Sequence, residues 1–228
     1  MDTIVNAREV PFGNRVEAGE TLARLLQRYA GRPDVIVLGL PRGGVPVAAV
    51  VAGLLGAPLD VFTVRKLGVP GYRELAMGAI ASGGARVLNH ALIAELGLTD
   101  RAIGTVIAEE ERELARREHL FRGDRAPLDV GGRIVILVDD GLATGSTMRA
   151  AVHAVRDLGP SRVIVAVPVG SAEACRDLQA EADEVVCAKI PRPFVAVGHW
   201  YRDFSETPDT EVTRLCGRPA PRRDEAAP

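Results

Sequence analysis

Two adjacent carboxylates, Asp139 and Asp140, end an apolar run, and the small-residue loop Ala143-Thr144-Gly145-Ser146-Thr147 follows them. Neighbouring carboxylates can hold two vicinal hydroxyls while attracting a hydrated Mg²⁺. The loop opens a helical pattern. The free N–H groups of that first turn, helped by the Thr144, Ser146 and Thr147 hydroxyls, form an anion site suited to phosphate. Gly145 lets the backbone approach a ligand closely. This is no Walker loop, because the glycine spacing is wrong and the lysine of such loops is missing; G-x-G-x-x-G is absent as well. A plainer reading, a helix start after a buried strand beside two incidental acids, leaves too many costly choices unexplained.

Two further segments carry charge beside apolar runs. In Leu38-Gly39-Leu40-Pro41-Arg42-Gly43-Gly44-Val45 the glycines let amides face a ligand, and Arg42 can grip phosphate oxygens bidentately. The plainer reading is a Gly-rich strand-to-helix turn with a surface arginine. Arg65 and Lys66 end the next run as paired cations, which taken alone are as readily solvated as functional. His90, His119, His153 and His199 share no metal-ligand spacing, and no G-x-S-x-G elbow is present.

The elements that must position these groups follow from periodicity. Short β-rich apolar runs at 35–38, 59–64, 134–138 and 163–167, with a weaker one at 184–188, read as strands buried on both faces. Helical patterns cover 18–29, 45–55, 145–158 and 171–180, the last with Ser171 as N-cap and Glu173 in its first turn. Alternating strands and helices predict a five-stranded parallel sheet flanked by helices, with ligands at the carboxyl ends of the strands. Between Lys66 and Arg133 lies an excursion. Residues 67–73 read as a Gly/Pro-rich loop, 74–89 as a hairpin around Ser82-Gly83-Gly84, and 99–122 as a charged helix with Glu113 and Arg117 spaced for an ion pair. The expected organisation is a core at 17–184, including a 67–131 excursion or flexible cover, a small hood from 1–16 and 185–216, and a disordered tail at 217–228.

Composition removes several classes of function. The 228 residues hold 28 Lys and Arg against 30 Asp and Glu with no basic stripe, so a nucleic-acid partner has no electrostatic support. The longest uncharged run, 43–59, is interrupted by Pro and Gly and falls short of the roughly 20 residues a membrane span needs. The first residues lack the basic and apolar regions of a signal peptide. Cys175, Cys187 and Cys216 are widely spaced and read as buried thiols, which with the lack of a leader predicts a cytoplasmic protein.

The strand-acid-loop block from Val135 to Thr147 resembles the signature of type I phosphoribosyltransferases, which bind 5-phosphoribosyl 1-pyrophosphate (PRPP). The resemblance implies that Asp139 and Asp140 hold the ribose hydroxyls and Mg²⁺, and that Ala143, Thr144, Gly145, Ser146 and Thr147 clamp the 5′-phosphate. It implies too that Arg42, Gly43 and Gly44 form the pyrophosphate loop, with Arg65 and Lys66 where family members also contact pyrophosphate. Residues 190–204 hold four of the chain's nine aromatics and resemble the hood of purine-salvage members. By position Phe194 would stack on a base, or pack a small lid, and Asp203 would lie near the metal. The resemblance covers 35–66 and 133–204, and covers the excursion poorly. The implied reaction displaces pyrophosphate from PRPP with a small nitrogenous acceptor, usually a nucleobase, with Arg42, Lys66, Asp139 and Asp140 carrying the chemistry. A non-catalytic regulatory protein of the same fold that senses PRPP or nucleotides is the alternative, and a homodimer is left open.

One departure from the family pattern yields a prediction. Members acting on hypoxanthine and guanine commonly place an Asp where this chain has Ala143, and that carboxylate is taken to accept the base proton. A methyl group cannot exchange a proton, and Glu74 is the substitute expected from the excursion. General-base help is typically worth about 10²–10⁴ in rate. Hypoxanthine and guanine should therefore fall behind the best acceptor by about that factor in steady-state kcat/KM. Values for them in the range of good enzymes, about 10⁴–10⁸ M⁻¹s⁻¹, would remove any meaning from Ala143.

Overall fold

The computed structural model describes residues 10–123 and 125–217, leaving the side chains of Arg73 and Glu74 aside. Residues 1–9 of the expected hood, nearly all of the expected tail and the Glu74 carboxylate lie outside the described set.

Helix α1 (Arg15–Leu25) starts where the Asn14 side chain accepts from the Val16 and Glu17 amides. Strand β1 (Val35–Gly39) is buried throughout, and α2 (Gly44–Leu55) follows it after a short loop. Strand β2 (Leu59–Val61) is brief. A three-stranded antiparallel sheet comes next, built from β3 (Val64–Val69), β4 (Tyr72–Ala81) and β5 (Arg86–Leu88). Helices α3 (His90–Glu95) and α4 (Asp100–Arg122) follow, the latter capped by Thr99. The chain then returns to β6 (Ile134–Val138), α5 (Ser146–Arg156), β7 (Arg162–Val169), α6 (Ala172–Gln179, capped by Ser171) and β8 (Glu184–Lys189). Helix α7 (Asp209–Cys216) ends the described chain.

The main sheet has the order β2-β1-β6-β7-β8 and every pair in it is parallel. Side chains alternate between its faces, as a pleated strand requires. On one face Leu38, Leu137 and Val165 pack with Met148 and Val152 of α5. On the other Val37, Ile136 and Ile164 pack with Leu22 of α1 and Val51 of α2. Strands buried on both faces explain the unbroken apolar runs that the sequence presents. The register sets Gly39 opposite Val138, so β1 and β6 end side by side and the loops beyond them share one edge.

Two expectations need correction. The single strand predicted for 59–64 divides at Val61. Phe62 and Thr63 are buried in the crossing, and the Thr63 amide donates to Ser82 Oγ at 3.0 Å, which turns the chain into the second sheet. The loop predicted for 67–73 is mostly strand. Leu67 and Val69 alternate inward onto Ile103 and Ile107 of α4, and only Pro70 and Gly71 form the hairpin turn, Gly71 at φ +82°. A Pro-Gly pair marks a turn, and it masked the strand on either side of it. The Glu113–Arg117 pair forms as expected, at 2.9 Å. The three cysteines are free and buried. No helix among the described residues is long and apolar enough to cross a membrane.

Leu137 is fully buried in the central strand. Replacing it by Ala should cost about 2–5 kcal/mol, the usual range for a cavity left in a close-packed core. Urea unfolding of Leu137→Ala checks this, and a loss under 1 kcal/mol would show that the two faces repack freely.

Candidate functional site

The site lies where β1 and β6 end. Asp139 and Asp140 leave β6, and the loop 40–43 leaves β1 directly beside them. Leu40 N–H donates to the Val138 carbonyl at 2.9 Å, which ties the two loops together. Gly43 and Gly44 are glycines for a reason visible here. A Cβ on Gly43 would stand 2.0 Å from Asp140 Oδ2, and one on Gly44 would stand 2.7 Å from the Val138 carbonyl oxygen and 2.9 Å from Asp139 Oδ1. Side chains at either position would push the acidic pair out of place.

The two carboxylates are held differently. Asp139 Oδ1 accepts the Asp140 amide at 2.8 Å. Asp140 Oδ2 accepts from both Nε and Nη2 of Arg15, at 3.0 and 2.8 Å. Burial raises the Asp139 carboxyl well above the usual carboxylate range, and the neighbouring Asp140 charge adds to that. Burial also raises Asp140, though the Arg15 guanidinium opposes it. Removing two like charges from water is costly, and a close cation offsets part of that cost.

Arg15 and Tyr201 are site residues that sequence reasoning missed. Arg15 Nη1 donates to the Ser205 carbonyl at 2.8 Å, and its guanidinium lies 4.2 Å from the Phe204 ring centroid. Tyr201 Oη donates to the Asp140 carbonyl at 2.6 Å, and burial pushes its phenol well above the usual range. A faint signal existed for Arg15. It occupies the first position of a helix, where the dipole disfavours a cation, so its placement asks for a partner elsewhere.

Loop 143–147 presents the open end of α5. Gly145 takes φ +73°, and no side chain caps the helix. Ala143, Thr144, Ser146 and Thr147 are exposed, and Thr144 Oγ1 approaches Ser146 Oγ at 3.2 Å. The Ser146 amide reaches Thr144 Oγ1 only at 3.4 Å, so a helix start beside two hydroxyls offers donors that favour a tetrahedral anion.

The remaining expected residues are dispersed. Arg42 faces solvent and the C-terminal segment, pairing with Glu206 and lying 3.7 Å from Asp209. Arg65 and Lys66 do not end β2; both stand on β3. Arg65 is paired with Glu110 of α4 at 2.6 Å, so its charge is committed to the excursion. Lys66 is exposed and borders a cavity of about 380 Å³ that Ser146, Arg149 and His153 of α5 also line. Phe194 is half-buried against the cluster of Phe12, Ala188 and Tyr201. Asp203 accepts the Ser205 amide at 3.0 Å. Among the described residues no group of three or more His, Cys, Asp or Glu is placed to hold a metal together. Asp139 and Asp140 could hold Mg²⁺, which keeps several waters and is commonly held by one or two carboxylates plus substrate phosphates.

A parallel sheet whose neighbouring strand ends carry an acidic pair, a Gly-rich loop and an open helix start is an open α/β fold with its ligand surface at the carboxyl ends of the strands. A phosphoribosyl transferase domain model matches residues 13–202, and this chain belongs to that family. It is 46% identical over 207 residues to a Mycobacterium tuberculosis protein named a putative phosphoribosyl transferase, which covers 91% of this chain and 46% of the relative. The chain thus spans about half the length of the curated relatives it matches first. It is also 46% identical over 70 residues to the bifunctional protein PyrR of Bacillus mycoides, covering 30% of this chain and 38% of that one. Among solved structures, TT1426 from Thermus thermophilus superposes with a TM-score of 0.81 at 43% identity, covering 91% of this chain and 98% of that one.

The Gly43 contact gives a local test. Gly43→Ala should leave the fold intact, because the loop is at the surface of the sheet edge, yet displace the Asp140 carboxylate from Arg15. Circular dichroism should be unchanged while affinity for a ribosyl phosphate with Mg²⁺ falls about tenfold or more, the loss of one charged hydrogen bond at about 1.5–3 kcal/mol. Unchanged affinity would mean the close approach has no bearing on the ligand.

Proposed function

We propose that this chain is a Mg²⁺-dependent phosphoribosyltransferase that displaces pyrophosphate from PRPP with a nitrogen nucleophile, a nucleobase by class. One observation carries the reading: the glycine-mediated contact of the Arg42 loop with Asp139 and Asp140, which lie on the same connection as the open start of α5. PRPP bears a 5′-phosphate, two vicinal hydroxyls and a pyrophosphate, and the loops after β6 and β1 offer a complement to each. The α5 amides and the Thr144, Ser146 and Thr147 hydroxyls take the phosphate. Asp139 and Asp140 accept the ribose hydroxyls, and Arg42 with the Gly43 and Gly44 amides takes the pyrophosphate.

Departure of pyrophosphate leaves a sugar with oxocarbenium character. Donors fixed in advance on the leaving anion lower that barrier most, because they need no reorganisation as charge develops. Bound at the acidic pair, Mg²⁺ would add positive charge to the departing pyrophosphate. Asp140, kept close by Arg15, stays oriented toward the ribose, and Phe194 offers a half-buried ring for a base to stack on. Lys66, on the wall of the cavity that reaches Ser146, supplies an exposed cation near the same edge. The excursion that contains it is the segment proposed to cover the site and exclude water. Free buried cysteines agree with a cytoplasmic setting.

A sensor that binds PRPP without turnover is the competing reading, favoured by Ala143, which offers no proton acceptor at that place. Pyrophosphate release from PRPP and Mg²⁺, screened against common bases, separates the two. Base-dependent release supports transfer, and binding without it supports the sensor. For the site itself, Asp139→Asn with Asp140→Asn should weaken Mg²⁺-dependent PRPP binding by about 10²–10⁴, two charged hydrogen-bond losses of about 1.5–3 kcal/mol each, while the fold survives. Calorimetry showing wild-type PRPP affinity in the double variant would sink the assignment.

A further inference from the structure

The acids that hold Arg42 come from a segment to which the proposed reaction gives no task. Residues 205–209 run from the acidic pair to the Arg42 loop. Their start is tied down through the Ser205 carbonyl, which accepts from Arg15. Thr207 is buried. Beyond Asp209, Val212 and Cys216 of α7 are buried in a cluster with Val45 of α2, Val61 of β2 and Phe121 of α4. Packing at both ends therefore fixes the path between them.

That path delivers two carboxylates to one guanidinium. Glu206, well exposed, pairs with Arg42 Nη2, and Asp209 Oδ1 stands 3.7 Å from Arg42 Nη1. Asp209 also lines a recess of about 270 Å³ with Arg42, Arg116 and Arg117. The last two share Glu113, whose carboxyl they hold down at about 2. Among the described residues, Arg42 has no carboxylate partner except these two from the 205–209 segment. An exposed ion pair is weak, worth a factor of only about 1.4–5 in equilibrium, so a polyvalent anion can displace it. A buried pair would lock the arginine; this one yields.

We propose that Glu206 and Asp209 are positioning residues for Arg42, competing with pyrophosphate for its guanidinium. In the empty site they keep Arg42 oriented across the end of β1. After transfer they return to it and help pyrophosphate leave. The inference rests on the reading of residues 40–44 as the pyrophosphate loop.

Calorimetric titration with inorganic pyrophosphate, in metal-free buffer at low ionic strength, tests both layers separately. Glu206→Gln is nearly isosteric and lies outside any helix, so it should fold as wild type. It should bind pyrophosphate about two- to fivefold more tightly, and Glu206→Gln with Asp209→Asn about three- to tenfold. Arg42→Ala should lose most of the binding, and adding the two acid substitutions to it should restore none. Glu211→Gln, an acid of α7 with no contact to Arg42, should stay within twofold of wild type. Unchanged or weaker binding in Glu206→Gln and the double variant, with Arg42→Ala still defective, overturns the competition and leaves the loop reading standing. Wild-type affinity in Arg42→Ala overturns the loop reading, and the competition with it. Equal tightening by Glu211→Gln overturns the competition too, because the effect would then be one of overall charge.

Discussion

Asp139 and Asp140 stand side by side at the end of a strand buried on both faces, and burial raises both carboxyls. Paired acids in such a place are unfavourable unless their surroundings answer them. Arg15 answers Asp140 directly from the first turn of α1, 125 positions away in sequence. Tyr201 secures the backbone just after the pair by donating to the Asp140 carbonyl. Arg15 in turn is clasped by the Ser205 carbonyl and lies over Phe204, so the segments before α1 and after β8 are drawn together over the acids. Phe12 and Tyr201, whose rings lie 5.7 Å apart, pack at the same junction.

The β1–β6 pairing makes this arrangement available. Gly39 lies opposite Val138, so the chain leaves both strands at the same level, and two loops nearly one hundred positions apart become neighbours. They approach so closely that a methyl group on Gly43 or Gly44 would collide with the acidic pair. In parallel sheets of this kind the crevice beyond the strand ends is the natural place for a ligand. Here the glycines bring the loop after β1 directly against the acidic pair, while the Arg42 side chain turns to Glu206 and Asp209.

The excursion has its own small core, in which Leu67, Met77 and Ile80 pack with Ile103 and Ile107. It is not merely appended. Arg122 at the end of α4 holds Asp60 of β2 through two bonds of 3.0 Å, with both side chains largely buried, and Phe121 joins the cluster that anchors α7. The antiparallel sheet and the main sheet therefore meet through ion pairs and shared packing on one side of the site. The antiparallel sheet also packs on α5, and there Lys66 borders a cavity shared with Ser146, although it leaves the strand-end row expected for it.

Much of this was legible in the chain alone. The runs 35–38, 134–138 and 163–167 became buried parallel strands, Ser171 became an N-cap, and the residues from Asp139 to Thr147 came to lie at a strand end opening a helix. Each of these depends on neighbours within a few positions, and periodicity or capping chemistry records such neighbours in order. The division of 59–64 was hidden because a bend between two sheets leaves both halves equally apolar. The strand at 64–69 was hidden because Pro70 and Gly71 advertise a turn and say nothing about what flanks it. Arg15 on Asp140, Glu110 on Arg65 and Glu206 on Arg42 were hidden for a deeper reason. A surface charge and a site charge look the same in sequence, and only the packing of distant elements decides which acid each arginine meets.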